Sequence, residues 1–178
     1  LINDADLLPS INLIYRVTAE VNVRTAYGRT LARPNFRELA RYASADFAGD
    51  IIFNGNPNLE YTKIDNYDLR AAWFDNPGEI LAVSGFYKYF RNPIERTFIG
   101  ENDIQYQNVS HADVYGLEVE WRKGLGFVHS TFRNFRLGGN LTLVKSTVDR
   151  TERELTEKRA AEPGVADTRP LAGQSPYI

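Results

Sequence analysis

"YTKIDNYDLRAAWFDNPGEILAVSGFYKY", residues 61–89, decides how the rest of the chain is to be read. In its first half Tyr67, Leu69, Ala71 and Trp73 share one parity, and Asn66, Asp68, Arg70 and Ala72 share the other. In its second half Leu81, Val83, Gly85, Tyr87 and Tyr89 alternate with Ala82, Ser84 and Lys88. Side chains that face opposite ways at every second residue mark strands rather than helices. Between the halves, Asn76-Pro77-Gly78 supplies a proline with preset φ and a glycine able to take φ > 0, the pattern of a type II turn. Counting outward from that turn sets Phe74 opposite Ile80, Trp73 opposite Leu81, Ala71 opposite Val83, Leu69 opposite Gly85 and Tyr67 opposite Tyr87. On the other face Arg70 meets Ser84 and Asn66 meets Lys88. A slip of one residue would turn every side chain to the wrong face, so this register is strongly specified.

The alternation recurs on both sides of this hairpin. "SINLIYRVT" places Ile11, Leu13, Tyr15 and Val17 on one face, and "VNVRTAYGRTL" sets Val23, Thr25 and Tyr27 against Asn22, Arg24 and Ala26. "VYGLEVEWRKG" sets Tyr115, Leu117, Val119 and Trp121 against Gly116, Glu118, Glu120 and Arg122, and "FRLGGNLTLVKSTV" sets Leu137, Leu141 and Leu143 against Arg136, Asn140 and Thr142. Three hairpins, six strands, make an all-β antiparallel meander. "DRTERELTEKRAA", residues 149–161, has only Leu155 as a large apolar residue and is expected to be a solvated loop with at most a helical turn.

Composition narrows the setting. The 178 residues are 43% hydrophobic and 25% charged with a net charge of -2, which gives no reason to expect nucleic acid as a partner. Without cysteine there are no disulfides, thiolate metal sites or cysteine nucleophiles. The chain has no methionine, and its opening "LINDADLLPS" lacks the basic end and apolar core of a signal peptide, so it is expected to be an excised segment. No apolar run is long enough for a transmembrane helix, but a transmembrane strand needs only alternation over roughly 10 residues.

The connections alternate in length: about four residues near Thr18, about 28 from Arg33, about five at Asp75, about 13 from Arg91, about 11 from Gly124 and more than about 20 from Asp149. Long unstructured loops are uncommon in compact soluble domains, whereas outer-membrane barrels keep short turns at one end and long loops at the other. Aromatic placement follows the same axis. Tyr15, Trp73 and Trp121 lie on the apolar parity near the short-turn end and are expected to form one row; Tyr27, Tyr67, Tyr87 and Tyr89 lie toward the long-loop end. Two aromatic girdles bracketing Leu, Val, Ala and Thr describe a lipid-facing band. Alternation by itself also fits a soluble all-β ligand-binding or adhesive module whose apolar parity is its core.

A set of short motifs separates these alternatives. "RTLARPNFRELA", "GNPNLEYTKIDNYDLR", "SGFYKYFRNPIE", "VYGLEVEWRKGL" and "RPLAGQSPYI" together resemble successive barrel motifs of TonB-dependent outer-membrane receptors, most like those of the Bacteroidetes type. The resemblance implies a bacterial outer-membrane protein whose 22-stranded barrel encloses a plug domain and takes up a scarce solute, a siderophore, cobalamin or glycan, driven by the TonB complex. Residues 1–178 would form one incomplete barrel segment of six to seven strands, without the plug, the TonB box or the terminal strand. Implied partners are the TonB complex through the N-terminal part, the protein's own plug, outer-membrane lipid and a surface lipoprotein.

Candidate residues follow from this reading. Arg24, Asp68, Arg70, Lys88, Glu118, Glu120 and Arg122 share the polar parity and are expected to face the lumen or touch the plug; on the lipid parity Arg or Lys would cost roughly 2–4 kcal/mol each at the midplane. Arg37, Arg41, Asn54 and Asn56, in a loop expected to be irregular and extracellular around Asp46, are candidates for solute contact. Catalysis is not expected, because Glu118 and Glu120, flanked by Arg122, lie on a lumen- or solvent-facing strand face without a cleft to tune them. His111 and His129 are far apart with no second ligand at metal spacing, and both read as polar loop residues, so no cofactor is expected. "GLGF" and "LGGN" lack the strand and helix context of a phosphate loop.

Overall fold

The computed structural model describes residues 5–44, 52–100 and 103–174. In chain order the elements are β1 (Ser10–Arg16), β2 (Val21–Ala32), α1 (Phe36–Leu39), β3 (Ala43–Ser44), β4 (Ile52–Asn54), β5 (Thr62–Trp73), β6 (Ile80–Arg91), β7 (Ile94–Phe98), β8 (Asp103–Asn108), β9 (His111–Gly124), β10 (Arg136–Asp149), α2 (Glu152–Ala161) and β11 (Thr168–Arg169). The six expected strands form one antiparallel sheet in the order β1-β2-β5-β6-β9-β10, with the short β11 on its end. The sheet is open: β1 and β11 are its two edges.

Register is as the hairpin count requires. Trp73 pairs with Leu81, Ala71 with Val83, Arg70 with Ser84, Leu69 with Gly85, Tyr67 with Tyr87 and Asn66 with Lys88. At the turn end the ladder stops at Trp73–Leu81, so the expected Phe74–Ile80 pair is not formed, and the Phe74 amide instead donates to the Glu20 carbonyl in the neighbouring turn. Gly78 takes φ 82° and the Glu79 amide donates to the Asn76 carbonyl at 2.9 Å, so Pro77 and Gly78 occupy the central positions of the turn. The other short connections differ in construction. Thr18 closes the first by accepting from the amides of Glu20 and Val21, and two 3₁₀ turns, Leu125–Phe127 and Ser130–Phe132, build the third.

Two expectations fail in the long connections. The loops from Arg33 and Arg91 are not wholly irregular: β3, β4, β8 and β7 form a second sheet in that order, with β4 and β8 parallel and the other pairs antiparallel. Backbone groups that would otherwise need water find partners in this small sheet. The position of Asp46 lies outside the described residues. The charged run after Asp149 is a ten-residue helix, not a loop with a turn. Thr151 caps it by accepting from the Glu154 amide, Leu155 is a buried large side chain on it, and Arg150, Glu154, Arg169 and Glu95 tie it to β11 and β7. Capping and ion pairs replace the amphipathic stripe whose absence argued against a helix.

Burial is concentrated where these loops pack. Val109, Ala112 and Val148 form a buried cluster against Phe90 and Leu171, and Leu59 and Ile104, both in the long connections, are buried as well. Across the middle of the long sheet the usual order is inverted, with Leu69 57%, Leu117 55% and Leu141 53% exposed. Among the described residues nothing covers that face.

Candidate functional site

The exposed face is built from rows that run straight across the strands. Ile11, Tyr27, Tyr67, Tyr87, Tyr115 and Lys145 are successive partners on β1, β2, β5, β6, β9 and β10. The Tyr27 and Tyr67 rings lie 5.1 Å apart and those of Tyr67 and Tyr87 6.0 Å apart, within the range of favourable aromatic pairs. Three same-face steps away, Val21, Trp73, Leu81, Trp121 and Gly139 form the opposite row. The six residue steps from one row to the other span roughly 20 Å of strand, and the same face between them is filled mainly by Leu, Val, Ala, Thr and Gly. The Tyr27 hydroxyl donates to Asp65 at 2.9 Å, and the Tyr87 hydroxyl donates to Asp113. Both acids lie one same-face step nearer the long loops, so the rings lie toward the apolar band and their hydroxyls toward polar ground.

Three details depart from the expected girdles. Tyr15 pairs with Val23, one step inside the tryptophan row, and Tyr89 pairs with Asp65 and Asp113, one step outside the tyrosine row. Tyr115 belongs to the row and was not singled out from sequence. The signal existed: "YDLRAAW" and "YGLEVEW" each set a tyrosine six residues before a tryptophan.

On the other face Arg70 Nη2 lies 2.6 Å from Glu120 Oε2 and donates through Nη1 to Ser84 at 3.1 Å. Arg122 is a looser neighbour of Glu120 at 3.8 Å, and Lys88 donates to Asn66 at 2.8 Å. All seven charged candidates share this face, but Arg24, Asp68 and Glu118 have no ion-pair or hydrogen-bond partner among the described residues. Arg24 stands directly opposite Arg70, a like-charge pair. Phe86, Ala72 and Ala82 interrupt the charges, so the face is mixed rather than uniformly polar.

At the long-loop end β4 and β8 join two loops into a cleft lined by Arg37, Tyr42, Phe53, Asn54, Arg96 and Tyr106. Of the four loop candidates, Arg37 and Asn54 line it and Arg41 does not. Asn56 has a structural task instead: its side-chain amide donates to the Tyr106 carbonyl at 3.0 Å and its Oδ1 accepts from the Asn58 amide. Arg96, Tyr42 and Tyr106 were missed because alternation does not disclose a parallel pairing between residues about 50 positions apart. His111 opens β9 rather than lying in a loop, with Nδ1 2.6 Å from Asp149 Oδ2, and His129 caps a 3₁₀ turn. Outside the strands, Glu79 accepts from Lys123 at 2.7 Å, Asn76 at 3.1 Å and the Gly124 amide at 2.9 Å, and these donors, Lys123 foremost, hold its carboxyl down to about 2.

A family model described as "TonB dependent receptor-like, beta-barrel" matches residues 2–177. None of the curated proteins matches. Among solved structures, a ferric enterobactin receptor of Pseudomonas aeruginosa in complex with enterobactin aligns at 20% identity and a TM-score of 0.61, over 80% of this chain and 25% of that one. The siderophore receptor PirA of Pseudomonas aeruginosa aligns at 20% identity and a TM-score of 0.54, over 82% of this chain and 28% of that one. The chain thus spans about a quarter of the length of these receptors, and the likeness concerns the fold.

Proposed function

The chain belongs to the TonB-dependent receptor β-barrel family, a family of outer-membrane barrels, and on that premise we propose that it forms part of the wall of a transporter that brings a scarce solute across the outer membrane. The family match over residues 2–177 is the observation that carries this reading, and it displaces the soluble-module alternative. The exposed apolar face then meets lipid, the aromatic rows sit at its two interfaces, and the face bearing Arg70 and Glu118 turns inward. A plug domain supplied by the rest of the protein would dock there, where Arg24, Asp68 and Glu118 lack partners of their own, and the TonB complex would supply the energy.

Among siderophore, cobalamin and glycan, an iron–siderophore complex is the favoured solute class, because the receptors that share this fold carry that cargo in their names. The affinity to the Bacteroidetes type rests on the motifs alone. Uptake of radiolabelled ferric siderophore by cells making the full receptor, with and without TonB, tests the reading. Accumulation should require both; accumulation independent of TonB would refute active transport.

A further inference from the structure

We propose that the connection from β9 to β10 is a membrane foot: its aromatic residues enter the phospholipid leaflet at the short-turn end of the sheet, and Arg133 holds a lipid phosphate there. The inference goes beyond transport and rests only on the lipid-facing assignment of the sheet. The tryptophan row already marks an interface, but it does not account for what lies past it. Phe127 is 73% exposed, Phe135 60% and Phe132 44%, and Val128 is exposed beside them, all outside the long strands. The two other short connections, 17–20 and 74–79, each expose one large apolar side chain, Val17 and Phe74.

The patch is continuous with the face that meets lipid. Leu137, exposed, shares the parity of Leu141 and Leu143, Trp121 lies over Gly139 between them, and Phe135 continues that parity by one more step. The Phe132 ring stands edge-on to that of Phe135 at 6.0 Å, so the two extend the apolar stripe of β10 past the tryptophan row. The charges fit the same surroundings. No aspartate or glutamate occurs from Trp121 to Val148. Lys123 is taken up by Asp75 and Glu79, and Arg136 reaches back over Gly78. Arg133 is exposed and has no acidic partner among the described residues. A lone cation among exposed rings is the make-up of a segment lying in an interface, with rings at the acyl boundary and the guanidinium on phosphate. Continuity with the lipid-facing stripe favours lipid over a protein as the occupant.

A segment enters a water-poor layer at low cost when its backbone polar groups already have partners. Here the Val128 amide donates to the Leu125 carbonyl at 3.1 Å, Phe132 to His129 at 2.9 Å and Phe135 to Phe132 at 2.9 Å. The Leu125 amide closes the connection on the Phe135 carbonyl at 2.8 Å. His129 Nδ1 accepts from the Thr131 amide at 3.2 Å, and a Cβ at Gly126 would lie 3.2 Å from the Arg133 Cα, so the two 3₁₀ turns pack on each other. The connection is thus folded before it meets a membrane, with its rings outside, which lowers the ordering cost of binding.

The test uses the full receptor, free of other reactive thiols, in phosphatidylcholine vesicles, with a fluorophore on Ser130→Cys or, as a control in the middle of the sheet, on Leu117→Cys. Nitroxide-labelled phosphatidylglycerol or phosphatidylcholine serves as the quencher. Both lipids should quench the Ser130 label, phosphatidylglycerol at roughly fivefold lower mole fraction because of the one free cation. Arg133→Gln should abolish that preference and Arg133→Lys should keep it, while Phe127→Ser combined with Phe132→Ser should open the label to iodide in the water. Equal quenching by the two lipids, or a preference that survives Arg133→Gln, would overturn the foot. A Ser130 label reached by iodide and by neither lipid, with Leu117 still quenched, would overturn it too and leave the patch to a protein partner. Quenching at neither position would refute the lipid-facing assignment itself, and the foot with it.

Discussion

Glu79 shows how one side chain can hold a turn. It receives hydrogen bonds from Lys123, Asn76 and the Gly124 amide, linking the β5–β6 turn to the end of β9. Its folded-state pKa, about 2, lies below the ordinary 4.5, so its contribution is complete above about pH 4.5 and is lost as pH falls toward 2. Acid unfolding of the full receptor should therefore separate native protein from Glu79→Gln: the native protein loses stability relative to the variant between pH 5 and 2, roughly. Parallel curves would show that the clamp contributes nothing. Gly55 is decisive in a different way, because a side chain there meets backbone rather than a yielding group. Gly55→Ala should increase protease cleavage within residues 33–60 of the assembled receptor while the heat-resistant barrel band on a gel stays unchanged.

At the scale of the strand, the two faces differ in what they tolerate. Leu117 and Thr142 sit near each other, in rows one residue apart, but on opposite faces of β9 and β10. Leu117→Arg should destabilise the vesicle-embedded receptor by about 2–4 kcal/mol, and Thr142→Arg, beside Glu118, by less than about 1 kcal/mol. Urea unfolding in lipid vesicles measures both, and a reversed order would invert the facing of the sheet. The strands themselves were legible because alternation and turn chemistry agree at every level, down to the Tyr67–Tyr87 pair. Helix α2 was not legible: its support comes from Thr151 and from the ion pair of Glu154 with Arg169, which is held in turn by Glu95, distant in sequence.

For the molecule as a whole, the sheet has a short-turn end and a long-loop end, and the transport reading places the first in the periplasm and the second outside the cell. This chain has no cysteine, so single introduced cysteines report on it cleanly in a receptor otherwise free of reactive thiols. An impermeant maleimide should label Lys158→Cys on intact cells and Glu20→Cys only after permeabilisation; the opposite pattern reverses the topology. The inward face makes a separate prediction. Arg70→Ala and Glu118→Ala should leave assembly in the outer membrane intact, since Arg70 and Glu120 form a half-exposed pair worth about 1 kcal/mol or less and neither residue touches lipid. Loss of the assembled protein after either change would remove these residues from the inward face.

Alternation and turn residues determined the strands, the register of the β5–β6 hairpin and which side chains share a face. These are local properties: period-two geometry acts along every strand, and the Pro-Gly turn fixes the register of one hairpin. Only the tertiary structure decided that the long connections pair with one another, that Asn56 braces the loop sheet, and that Arg37 and Arg96 line one cleft. Those outcomes depend on backbone groups about 50 residues apart finding each other as β4 and β8, a pairing whose partners carry no shared pattern along the chain.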